Sequence, residues 1–157
     1  SGPRGALRVL DALARWYGAP PDEDAGLGIA LDHASRLLRP GSRLVLLADP
    51  ASIDQVPKAR WSGLALHHEV HAVLLTDPLE LAPPAARLPF RGADAERVEL
   101  ALDADNVRQR WRGEFGARLD AALALLQGCG VRAMALSCAD PSEAWLPLLD
   151  QPKGRAR

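Results

Sequence analysis

One short pattern recurs three times in this chain: a run of apolar residues that ends at an aspartate followed by a proline. The first copy is Arg43-Leu-Val-Leu-Leu-Ala-Asp-Pro50, and the others run over 70–78 and 131–141. Apolar runs without alternation are typical of strands that are covered on both faces, as in a parallel sheet. Helical patterns separate the runs, so the sequence predicts an α/β fold.

The predicted architecture is a three-layer one, in which helices flank a mostly parallel sheet of three core strands plus a small hairpin. The core strands are predicted at 43–49, 70–76 and 131–138, and the hairpin at 87–91 and 97–102. Helices are predicted at 5–17, 27–38, 58–68, 105–127 and 142–149. We interpret residues 1–157 as a single domain.

The charge balance argues against two classes of partner. The chain has 19 basic and 20 acidic residues, which gives a formal net charge of -1. Such a balance offers no electrostatic reason to expect nucleic acid or an anionic membrane as a partner. The apolar runs are far shorter than the roughly 20 residues that span a bilayer, and no signal peptide opens the chain. We therefore expect a soluble, cytoplasmic protein without a membrane span.

The cysteines and the first residue support two smaller expectations. Cys129 and Cys138 lack the spacing of a metal site, and we predict two reduced, mostly buried thiols. The sequence opens on Ser1, and a helical pattern follows almost at once. We therefore expect a processed chain or a piece of a longer protein.

Three aspartates end the predicted strands: Asp49, Asp77 and Asp140. Ligands of an open parallel sheet bind beyond the carboxyl ends of its strands, so these side chains could form an acidic cluster, for example a magnesium site. Alternatively, each Asp-Pro pair supplies the N-cap and first residue of a helix. Glu80 and Glu143 complete the spacing of a capping box for Asp77 and Asp140, which favours capping there. Asp49 has a serine at that spacing, so its case as a site residue is better; Asp49 and Asp77 are the candidate metal ligands.

Other motifs give weaker signals. His67-His68-Glu69-Val70-His71 is rich in metal-binding residue types, but at the junction of a helix and a strand its side chains diverge, so we interpret it as structural. The sequence has no Gly-x-Ser-x-Gly elbow, no Gly-x-Gly-x-x-Gly fingerprint and no Walker lysine loop. No catalytic or cofactor-binding residue is therefore assigned.

Three stretches carry a resemblance to a known family: Ala25-Gly-Leu-Gly-Ile-Ala-Leu31, the segment 39–49, and the segment 68–80, which is the most specific. Together they resemble the bacterial proteins of unknown function numbered 58, whose domain is von Willebrand factor A-like. The resemblance covers most of the chain and implies a doubly wound sheet. Strands that precede Gly5 in that family have no counterpart, so the chain resembles the C-terminal half of the domain.

The resemblance also bears on metal binding and on partners. The family's domain carries Asp-x-Ser-x-Ser in its first strand as the main part of a metal-ion-dependent adhesion site. This sequence has no such motif, Ala25 stands where the site's threonine is expected, and only Asp49 matches the third acidic loop. A degenerate metal site is therefore implied. Family members often accompany MoxR-type AAA+ ATPases, which implies an interaction or assembly role.

The missing strands have a physical consequence for the first predicted strand. In the family's strand order, the strand from Arg43 to Asp49 pairs with the missing first strand. Here it becomes an apolar edge, which soluble proteins avoid leaving uncovered. We expect two copies of the chain to pair there as a homodimer, or a separate chain to supply the missing half.

The predicted function is a non-catalytic protein-interaction or assembly module whose partner surface lies near Asp49, Asp77 and Asp140. The alternative is a magnesium-dependent hydrolase or phosphotransfer domain that uses the same acids. A receiver-like signalling domain is a third, weaker interpretation. Receivers need paired acids after an early strand, whereas Asp22-Glu23-Asp24 follows a helix.

Overall fold

The computed structural model describes residues 2–19, 26–92, 96–141 and 143–150 of the chain. Helices and strands follow one another along these residues in an α/β order, which confirms the predicted fold class. The elements are α1 (Pro3–Gly18), α2 (Gly26–Leu37), β1 (Arg43–Ala48), α3 (Pro50–Ile53), α4 (Lys58–His67), β2 (Glu69–Thr76), α5 (Pro78–Leu81), β3 (Arg87–Arg91), β4 (Arg97–Ala101), α6 (Asp105–Gly128), β5 (Arg132–Ser137) and α7 (Pro147–Asp150).

The three core strands form one parallel sheet in the order β1-β2-β5. Arg43 of β1 pairs with Glu69 of β2, and His71 of β2 pairs with Arg132 of β5. Because β2 is central, β1 lies at an edge of the sheet that the described residues form, which is the position expected for it from the resemblance. The three apolar runs thus lie side by side and point in the same direction.

The hairpin is separate from the parallel sheet. Strands β3 and β4 pair antiparallel in a two-stranded sheet of their own, so the predicted single sheet that contained both is wrong. The hairpin packs on α6 instead, where the ring of Phe90 lies 5.1 Å from that of Trp111 between centroids. The Trp111 indole N–H also donates to the Leu79 carbonyl at 3.0 Å, which ties α6 to α5. Residues 93–95, between the two predicted hairpin strands, lie outside the described residues.

One face of the parallel sheet carries the core. Side chains alternate across a strand, so Val70, Ala72 and Leu74 share this face of β2, and all three are buried. Helices α2, α3, α4 and α6 supply the other side of the core. Their buried residues are Leu31, Ile53, Trp61, Leu64, Leu119, Ala122 and Leu126. Each large side chain buried here stabilises the fold by about 1.5–3 kcal/mol relative to exposure.

The opposite face of the sheet is covered unevenly. His71 and Val73 of the central strand are fully buried there. Val45 and Leu47 of β1 are 39% and 61% exposed, and Leu75 of β2 is 37% exposed. The predicted three-layer arrangement is therefore incomplete over β1 within the described part of the chain.

Helix α1 forms where the periodicity predicts it, but its apolar stripe is not buried. Leu7, Leu10 and Leu13 are 64%, 61% and 56% exposed, and no residue of α1 is buried. The polar side of the same helix carries Arg4, Arg8 and Arg15. An amphipathic pattern predicts a helix and an apolar face, but it does not say what covers that face.

Two further predictions need correction. The predicted helix at 142–149 is only the short α7 that begins at Pro147, and Ser142 lies outside the described residues. Cys138 is exposed rather than buried, while Cys129 is buried, and neither cysteine is in a disulfide. No helix in the described ranges is both long and apolar enough to cross a membrane.

Candidate functional site

Asp49 ends β1 and caps the short helix that follows. Its carboxylate accepts the Ser52 backbone N–H at 3.0 Å and also the Ser52 hydroxyl. Burial by itself raises the pKa of Asp49, but these hydrogen bonds and one from the Ala51 N–H outweigh it and hold the pKa below its ordinary 3.8. The sequence favoured capping least for Asp49, yet Asp49 caps α3. Ser52, which stands where a capping box has glutamate, donates both its N–H and its hydroxyl.

Asp77 ends β2 and forms the predicted capping box on α5. Its carboxylate accepts the Leu79 N–H at 2.7 Å, and the Glu80 carboxylate accepts the Asp77 N–H at 3.3 Å. The capping prediction is confirmed for this residue.

Asp140, beyond the end of β5, does not cap a helix. Its carboxylate turns back and accepts the Ser137 N–H at 2.9 Å, while the Ser137 hydroxyl accepts the Ala139 N–H at 3.2 Å. The capping-box prediction for Asp140 and Glu143 is therefore wrong. Local side-chain to backbone bonds of this type compete with helix initiation, and they close a turn at the strand end instead.

The three aspartates lie at the carboxyl end of the parallel sheet, but they do not line a common cavity. A cavity of about 40 Å³ lies between the ends of β1 and β2 and α6, lined by Asp49, Thr76, Glu80 and Arg118 among others. Asp77 and Asp140 are not among its lining residues. The volume suits one or two water molecules. We call the three exposed carboxylates of Asp49, Asp77 and Asp140 the acidic rim.

The metal hypotheses gain no support from this geometry. Among the described residues, no group of three or more histidine, cysteine, aspartate or glutamate side chains is placed to hold a metal ion. Asp49 and Asp77, the candidate ligands, each bond to their own following turn. The histidine-rich segment is also split, since His67 ends α4 whereas His71 is buried within β2.

A charged cluster lies at the opposite, amino-terminal end of the sheet. Glu69 of β2 accepts the Arg43 Nε at 3.0 Å and the Arg132 Nη2 at 2.8 Å, so its carboxylate joins all three strands. The Nε2 of His71 lies 3.3 Å from the same carboxylate. We call these four residues the Glu69 cluster.

The Glu69 cluster has a clear electrostatic signature. The hydrogen bond from Arg43 is the largest cause that lowers the pKa of Glu69, and His71 and Arg132 add to it. Together they overcome the opposing effect of burial and bring the pKa to about 2. Glu69 is therefore ionised at neutral pH, and it serves as a fixed counter-ion rather than a proton donor or acceptor.

Sequence reasoning missed the Glu69 cluster. Its members come from three separate segments, and only the register that pairs Arg43 with Glu69 and His71 with Arg132 brings them together. The one available signal was that each strand begins with charged residues, in contrast to its apolar middle.

Comparisons with known proteins leave the family open. No family model and no curated protein matches the chain. A solved structure with some similarity is the crystal structure of an uncharacterized membrane spanning protein from Vibrio fischeri, with 17% identity and a TM-score of 0.33. The match covers 79% of this chain and 52% of that chain, so this chain spans about half of that protein's length. Similarity at this level adds nothing to the assignment of fold or function.

Proposed function

We propose that the chain is a non-catalytic protein-interaction module, the C-terminal half of a von Willebrand factor A-like domain with a degenerate metal site. The acidic rim is its partner surface. The observation that carries this proposal is that all three rim carboxylates are exposed, yet each accepts a backbone N–H from within three residues of itself.

This arrangement suits docking better than catalysis. A carboxylate that a local hydrogen bond already orients loses less conformational freedom when a partner binds. Three such groups at the carboxyl end of the sheet present a negative surface that attracts lysine and arginine side chains of a partner. A hydrolase that used the same acids would need them to converge on one reacting atom or metal ion. Asp77 and Asp140 do not line the cavity beside Asp49.

The partner we propose is a MoxR-type AAA+ ATPase, on the strength of the family resemblance described above. The test is isothermal titration calorimetry of the purified chain against a purified MoxR-type ATPase. Ala139→Arg places a bulky cation next to Asp140, and it should weaken binding by about tenfold through steric and charge effects. Ala139 is exposed, so the fold should tolerate the change.

Ala124→Arg is the matched control, because Ala124 is also exposed but lies late in α6, towards the opposite end of the sheet. This variant should bind as the unmodified chain does. Absence of binding by the unmodified chain would contradict the proposed partner. Equal weakening by both substitutions would contradict the acidic rim as the partner surface.

A further inference from the structure

The outer edge of β1 carries unused backbone groups. The Ser42 carbonyl accepts the Glu69 N–H at 2.9 Å, so Ser42 and every second residue after it point their backbone groups at β2. Arg43, Val45 and Leu47 therefore point their N–H and C=O groups away from β2. They have no strand partner among the described residues, because β1 is an edge strand. An open edge of this kind is a template for another strand.

The side chains along this edge are also open. Arg43, Val45 and Leu47 lie on the less covered face of the sheet, and the two apolar ones are 39% and 61% exposed. The Arg43 side chain is 49% exposed even though its Nε binds Glu69. Asp49, the residue after the strand, is exposed as well, and its carboxylate caps the following turn. The edge thus presents a cation, two apolar groups and an anion in order.

We propose that a second copy of this chain occupies the edge, with the two β1 strands antiparallel about a twofold axis at Leu46. Arg43 then lies opposite the partner's Asp49, and Val45 lies opposite the partner's Leu47. Outward-pointing backbone groups meet outward-pointing groups, as an antiparallel ladder requires. The two β1 strands join the sheets into one continuous sheet of six strands.

The order of charges selects this register over its neighbours. A twofold axis at Val45 or at Leu47 also aligns the outward backbone groups, but it places Arg43 opposite a residue other than Asp49. The axis at Leu46 matches opposite charges at both ends of the paired segment and apolar pairs between them. Cross-strand pairs of both types are stabilising, each by about 0.2–1 kcal/mol. The proposed surface is distinct from the acidic rim except for Asp49, so failure of one proposal leaves the other standing.

Sedimentation velocity of two charged variants tests both the pairing and the register. Unmodified chain should show a monomer–dimer equilibrium, and Val45→Lys or Leu47→Glu should each weaken it by about tenfold or more, because each charge meets an apolar residue twice per dimer. An equimolar mixture of the two variants should recover dimers. In the mixed dimer the introduced lysine faces the introduced glutamate, and the second Val–Leu pair is intact.

Controls separate this edge from other apolar surfaces. Leu66 is 76% exposed on α4, so Leu66→Lys should leave the equilibrium unchanged. Leu13→Lys should do the same unless the exposed stripe of α1 mediates the association. Thermal melts followed by circular dichroism check that each variant folds.

Hydrogen exchange on the unmodified chain supplies a second readout that needs no substitution. The N–H groups of Val45 and Leu47 should gain protection as protein concentration rises, while the inward N–H of Leu46 stays protected throughout. A chain that remains monomeric at high concentration by light scattering would overturn the proposal. So would a mixture that fails to recover dimers, or dissociation caused by Leu13→Lys but not by Val45→Lys.

Discussion

The two ends of the parallel sheet use charged residues in opposite ways. At the carboxyl end, Asp49, Asp77 and Asp140 each bond to the backbone of their own turn, and within the described residues none of their side chains links one strand end to another. At the amino end, one carboxylate on Glu69 joins β1, β2 and β5. Local bonds shape the ends of individual strands, whereas the shared carboxylate fixes the strands against each other. Acidic residues that follow parallel strands therefore do not by themselves indicate a metal site, since each can be bonded within its own turn.

The largest effect should follow removal of the Glu69 charge. Glu69→Gln leaves Arg43 and Arg132 beside a neutral amide, and it should lower the thermal midpoint more than any single substitution in the acidic rim. Circular dichroism melts at neutral pH provide the measurement. Glu99→Gln, at an exposed position of β4, is the matched control and should have little effect. If Glu69→Gln and an acidic-rim variant lowered the thermal midpoint equally, Glu69 would not hold the strands together more strongly than the local caps do.

The same variant gives a pH test. The pKa of Glu69 is lowered from an ordinary 4.5 to about 2, so the folded state favours the ionised form. The stability from this group is complete above the ordinary pKa and is lost as pH falls towards about 2. The difference in midpoint between the unmodified chain and Glu69→Gln should therefore be constant near neutral pH and should shrink on acidification. A difference that grows in acid would contradict the assigned role.

A smaller, local effect is expected at the other end. Asp49→Ala removes the N-cap of α3, and it should reduce the free energy of unfolding by about 1 kcal/mol. Urea denaturation measures the change, which should leave the slope of the transition unaltered because the fold is kept. Asp54→Ala, at an exposed aspartate that caps no helix N-terminus, is the control and should cost less. Equal losses for the two variants would show that the cap contributes nothing.

The smallest effect, none at all, is expected from magnesium. A ligand that binds the folded state raises the melting temperature according to its affinity. Because Asp49 and Asp77 bond locally, adding Mg²⁺ or Mn²⁺ up to millimolar concentration should leave the melting temperature unchanged. If micromolar Mg²⁺ or Mn²⁺ raised the melting temperature, and Asp49→Ala removed this rise, the magnesium-dependent hydrolase or phosphotransfer alternative would be favoured instead.

Much of the fold could be predicted from the sequence because its signals are local. The three apolar runs with Asp-Pro ends predict β1, β2 and β5, and the periodicity over 58–68 places Trp61 and Leu64 in the core. The Asp77 cap could be predicted as well, since all its atoms lie within a few residues. Local patterns of this kind are visible in one dimension.

The remaining features depend on long-range pairing or on competition between local bonds. The Glu69 cluster needs the register of three strands, which the sequence alone does not specify. The helix after β5 was predicted too long because the Asp140 bond to Ser137 closes a turn where the capping box was expected. The exposure of the apolar stripe of α1 could not be predicted for a third reason. Periodicity identifies an apolar face but carries no information about which element covers it.

The strand order also has a consequence for how the sheet is assembled. The connection from β1 to β2 runs through α3 and α4, and the connection from β2 to β5 runs through α6. Both cross the same face of the sheet, so each new strand is added on the side away from β1. Glu69 finds Arg43 across 26 residues and Arg132 across 63. During synthesis the parallel sheet can therefore form in the order β1, β2, β5, and β2 and β5 each dock onto a strand that has already been made.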